Sequence, residues 1–85
     1  MPGWIDKEKQ ESLERYGYVY NFRRMVYVNY SAKKLFSYEA IRDQDLSWLK
    51  DRIQEPNQTD GWKFYFKSEP SNEVKSDLIR DIERA

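Results

Sequence analysis

Between Tyr18 and Tyr30, large apolar residues recur at every second position. Tyr18, Tyr20, Phe22, Val26, Val28 and Tyr30 share one parity, interrupted only by Arg24. Successive side chains of a strand point to opposite faces, so this period predicts a long strand with one buried face. The alternate positions, Val19, Asn21, Arg23, Met25, Tyr27 and Asn29, are mixed in character and are assigned outward. A charge on the inward parity at Arg24 predicts a bulge or sharp twist near Arg23–Arg24.

The rest of the chain supplies partners for that strand. "SAKK" reads as a turn and "LFSYEAI" as a second strand. Setting Tyr30 opposite Phe36 brings Val28 to Tyr38 and Val26 to Ala40, matching apolar faces; a slip of one would bury Ser37 and Glu39. "DQDLSWLKDRI" is a helix capped by Asp43 or Asp45, with Leu46, Leu49 and Ile53 inward and Trp48 off that stripe. After the turn signal Asp60-Gly61, "WKFYFKS" is a third strand, with Trp62, Phe64 and Phe66 on one face and Lys63, Tyr65 and Lys67 on the other. A last helix follows Ser68 or Ser71, its inner face made by Val74, Leu78, Ile79 and Ile82. At the other end, "GWIDKEKQESLERYG" has a cap in Asp6 and a C′ glycine in Gly17. Its apolar stripe (Ile5, Leu13, Tyr16) is thin, so residues 1–15 are expected as an N-terminal helix or arm, with Trp4 as its docking residue.

The predicted fold class is α+β: a small three-stranded, mostly antiparallel sheet in the order (α)-β-β-α-β-α. The helical crossover makes the second and third strands parallel. The first strand is placed centrally between them, with helices packed on one face and the other face open.

Eighty-five residues make a single domain, 1–85, near the size where burial alone gives marginal stability. Three Trp, seven Tyr and four Phe supply large buried surfaces to offset that. The chain has no cysteine and no histidine, which removes thiol nucleophiles, thiolate metal sites, the usual general base and the commonest metal ligand. No Gly-rich phosphate loop is present, and the paired carboxylates of "DQD" read as helix-start residues. No enzyme activity, cofactor or metal is therefore expected. No apolar run reaches membrane-spanning length and no signal sequence follows Met1, so a cytoplasmic location is expected, without a membrane partner.

Fifteen basic and fifteen acidic residues balance, but not locally. Residues 16–42 carry five cations against Glu39, whereas 43–61 carry five acids against Lys50 and Arg52. Such a dipolar layout suits association with an oppositely charged surface. The outward parity of the three strands then defines an interaction face: Arg23, Met25, Tyr27, Leu35, Ile41, Lys63, Tyr65 and Lys67, with Trp48 at its flank. A mixed apolar patch of this kind marks an interface. The expected function is a small non-enzymatic interaction module that forms a homodimer and takes a protein partner through the open sheet face or an edge strand. The alternative is an RNA or single-stranded nucleic-acid binder stacking bases on Tyr27 and Tyr65, which the zero net charge disfavours.

Overall fold

A computed structural model describes residues 5–84, so the expectation placed on Trp4 lies outside the described residues. The element order is α1 (Lys7–Arg15), β1 (Val19–Asn21), β2 (Val26–Asn29), β3 (Lys34–Ser37), α2 (Tyr38–Asp43), α3 (Leu46–Gln54), β4 (Lys63–Tyr65) and α4 (Asn72–Arg84). Together they make a small α+β fold around a four-stranded mixed sheet, ordered β1-β2-β3-β4. The first three strands form an antiparallel meander and β4 runs parallel to β3.

The long strand expected from Tyr18 to Tyr30 is two strands joined by a reversal, not one strand with a bulge. The reversal falls at Phe22–Met25, the segment where the alternation broke. Asn21 causes it: its Oδ1 accepts from the Arg24 N–H, three residues on, at 3.0 Å and so caps the turn. Met25 closes the loop in the left-handed region, at φ 56°. The same chemistry recurs one strand later. Asn29 Oδ1 accepts from the Ala32 N–H at 3.0 Å and Lys33 takes φ 56°. Both loops span four residues, since Asn21 pairs with Val26 and Asn29 with Lys34.

The second strand is shorter than expected because Ser37 caps a helix. Its Oγ accepts from the Ala40 N–H at 3.1 Å, so "YEAIRD" leaves the sheet as α2. The observed register sets Tyr27 opposite Phe36 and Val28 opposite Leu35, three positions from the one expected. The central strands are accordingly β2 and β3, while the start of the tyrosine stretch, β1, lies at an edge.

Helices cover both faces, so the expected open face does not exist. On one side Tyr27, Phe36 and Tyr65 pack against Ile5 and Leu13 of the N-terminal segment, Ile41 of α2, and Leu49 and Ile53 of α3. On the other, Val26, Val28 and Leu35 pack against Leu78 and Ile82 of α4. Trp62, Phe64 and Phe66 join this second cluster from β4 and its flanks, as their shared parity requires.

α1 is a docked helix rather than an arm. It ends in a Schellman motif: the Gly17 N–H donates to Glu14 O at 3.1 Å, and the Tyr18 N–H to Leu13 O at 2.9 Å. Gly17 holds φ 87°, which an L side chain adopts only under strain. Lys9 ties the helix down. Its buried ammonium donates to Ile41 O at 2.8 Å, to Arg42 O at 3.3 Å and to Gln44 O, the carbonyls that end α2. Lys34 repeats the device from β3, donating to Arg52 O, Ile53 O and Glu55 O where α3 ends. Each ammonium supplies three donors to carbonyls at a helix terminus, the negative end of its dipole; of these, Arg52 O also accepts from the Glu55 N–H at 3.4 Å.

Candidate functional site

Burial separates the residues expected on one interaction face. Tyr27, Leu35, Ile41 and Tyr65 are all buried. Leu35 belongs to the α4 side, whereas Tyr27, Ile41 and Tyr65 belong to the opposite core. Trp48 packs edge-on to Phe36 and Tyr65, with centroids 5.8 and 6.2 Å away, so it closes the flank of that core. Lys63 and Lys67 are exposed, Lys63 near the Tyr65 ring and Lys67 paired to Asp43 at 2.6 Å. Arg42 and Lys67 both hydrogen-bond the Asp43 carboxyl and hold it well below the usual carboxylate range. Because Tyr27 and Tyr65 lie beneath helices, the sheet presents neither ring for base stacking. Only Arg23 and Met25 of the expected set remain together at the surface, in the β1–β2 loop.

That loop is the centre of the candidate site. Phe22 is 81% exposed, and Val19 and Met25 stand about half out of the protein. The two Asn-initiated loops show how unusual this is. Tyr30 follows Asn29 as Phe22 follows Asn21, but Tyr30 is held in place. Its hydroxyl donates to Ile82 O at 3.0 Å and its ring meets Trp62 edge-on. Phe22 has no such partner among the described residues.

Behind Phe22 an open groove of about 490 Å³ runs between the β1–β2 hairpin and the C-terminal part of α4. It exists because α4 packs over Val26, Val28 and Leu35 and leaves Val19, on the same sheet face at the edge, uncovered. Val19, Phe22 and Tyr30 give it apolar surface; Arg23, Arg24, Asp81 and Arg84 give it charge. Arg24 and Asp81 bridge the two walls at 2.7 Å. Arg23 and Arg84 are exposed and make no ion pair among the described residues. The opposite edge carries a second open hollow, of about 340 Å³, lined by Trp62, Phe64, Lys75 and Ile79. Lys75 lies over the Phe64 ring at 5.4 Å and Trp62 Nε1 donates to Glu83 at 3.4 Å.

The sequence reading missed Phe22, Tyr30 and Arg84 as surface groups. The signal was present in the repeated Asn-aromatic pair, "NF" and "NY", which marks two reversals rather than one strand.

The buried phenols sit on the far side of the sheet from this groove. Burial pushes the hydroxyls of Tyr18 and Tyr65 well above their ordinary range, and the Glu55 carboxylate adds to the effect on both. Among the described residues no group of His, Cys, Asp and Glu is arranged to hold a metal, and no helix is long and apolar enough to cross a membrane. Comparisons of the chain with protein-family models, with curated proteins and with solved structures found no match in any of the three.

Proposed function

We propose that this chain is a small interaction module that takes another polypeptide, either a second copy or a different protein, along the β1 edge and the adjoining groove. The exposure of Phe22 carries the reading. A phenylalanine left 81% in water, in a loop tied by the Asn21 side chain to the Arg24 N–H, presents a large apolar surface to a partner. Val19 adds to that surface in the groove, and among the described residues β1 bonds to one strand, leaving its outer edge for strand addition. Self-association is one way to cover the edge, in keeping with the aromatic and methionine content of protein interfaces.

A photo-crosslinking amino acid in place of Phe22 tests this in cells. The expected result is a discrete adduct with a polypeptide, which mass spectrometry assigns to a second copy or to another chain. The same group in place of Val74, exposed but outside the groove, should give none. Absent or equal labelling at the two positions would overturn the proposal.

A further inference from the structure

The geometry points to an extended acidic peptide segment as the occupant of the β1 edge and its groove. This rests on the interaction reading above and names the partner's chemistry. The groove has arginine on both walls: Arg23 and Arg24 from the hairpin, Arg84 from α4. Its single acid, Asp81, is already engaged by Arg24. The site therefore presents two uncompensated guanidiniums around an apolar floor made by Val19, Phe22 and Tyr30. Guanidiniums bind carboxylates in fork geometry, so an acidic segment is favoured at the rim. Two such grooves facing each other would bring like charges into one interface, which disfavours a second copy docked groove to groove.

Strand geometry sets the pattern of the segment. A strand added to β1 directs alternate side chains to the α4 side, the side of Val19. On that side the segment carries an apolar residue over the Val19–Tyr30 floor and an acidic residue on either side of it. The intervening residues face away from the groove and are unrestricted.

Amide chemical-shift mapping on the full chain tests this. The probe is an acetylated, amidated heptapeptide with threonine at odd positions and glutamate, valine and glutamate at the even ones. A control peptide carries lysine for both glutamates, and an oligothymidylate tests nucleic acid. The glutamate peptide should shift amides of Val19–Arg24 and Asp81–Arg84, and high salt should suppress the effect. Its binding should weaken by on the order of tenfold in the Arg23→Glu, Arg84→Glu double variant. That variant should in turn accept the lysine peptide. Both arginines are exposed, and amide dispersion reports directly whether the variant is folded; if it is not, the comparison of peptides on the native chain decides alone. Equal response to the two peptides, response only to the oligonucleotide, or no response overturns the acidic-segment proposal. If the crosslinking result at Phe22 stands meanwhile, the interaction reading survives and only the partner's chemistry is wrong.

Discussion

Lys34 is fully buried, yet its ammonium replaces three hydrogen bonds to water with three to carbonyls at the end of α3. Replacing a buried ion pair on both sides by apolar groups can cost little, but here the acceptors are backbone and stay behind. Lys34→Met is therefore expected to destabilise the fold by about 3 kcal/mol, read as a lowered free energy in chemical denaturation, because the carbonyls lose their donor in a buried site. Lys34→Arg should not restore it, since a planar guanidinium does not match three carbonyls converging on one ammonium. An unchanged denaturation midpoint for Lys34→Met would refute the capping role. Gly17→Ala isolates a different effect. No atom lies within 4 Å of an added Cβ, so the expected loss of about 1 kcal/mol comes from backbone strain alone. The glycine was legible in the sequence as a helix stop; the lysine was not. Polarity patterns assign every lysine to solvent, and only the three-dimensional position of a helix end shows where a long stem can deliver its charge.

The paired hairpins show where pattern reading of elements stops. Tyr18, Tyr20, Val26 and Val28 share one parity in the sequence, but the four-residue loop reverses the chain, so Tyr18 and Tyr20 face the α1–α3 core whereas Val26 and Val28 face α4. Periodicity records the alternation but not the direction of the chain, so one strand was read where two exist. Tyr38 onward was likewise read as strand, although a capping serine at Ser37 had already turned the backbone into α2. The long amphipathic helix α4 and the parallel direction of β3 and β4 were legible, since each follows from a strong local pattern and from the handedness of crossovers; their direct pairing was not, because the first strand is expected between them and lies on the other side of β3. The hairpin interpretation predicts an order of effects. Asn21→Ala removes one acceptor from the first loop and should cost about 1 kcal/mol in a denaturation experiment. Asn29→Ala should cost more, because Asn29 Nδ2 also donates to Tyr16 O at 2.8 Å and so ties the second loop to the end of α1. Equal losses would show that this tie contributes nothing.

At the scale of the whole molecule, covering both sheet faces is what removes the aromatic platform and moves the uncovered apolar area to the sheet edges, the β1 edge with Val19 and Phe22 among them. The sequence could not show this, because an amphipathic helix declares its own inner face without saying which side of a sheet it covers. Burying so many phenols has a further global consequence. The Tyr27 hydroxyl is buried without a hydrogen-bond partner among the described residues. Burial first, then the neighbouring Tyr20 and Tyr38, push its pKa from 10.0 up to about 12. Burial moves the Tyr18 and Tyr65 hydroxyls the same way. A raised pKa means that the folded chain holds its proton where the unfolded chain has released it. The associated stability is therefore complete below pH 10 and is lost as pH rises from there toward 12. For Tyr27 the span corresponds to about 3 kcal/mol. Unfolding free energy should fall along this alkaline limb, with tyrosinate absorbance rising together with loss of helix signal. Tyr27→Phe separates the contributions. At neutral pH it should stabilise the chain by about 1 kcal/mol, because an unpaired hydroxyl leaves the core. Above pH 10 its stability should decline less steeply than that of the native chain. A variant less stable at neutral pH would mean that the hydroxyl has a bonding partner in solution, and an unaltered alkaline limb would mean that Tyr27 titrates as an ordinary surface phenol.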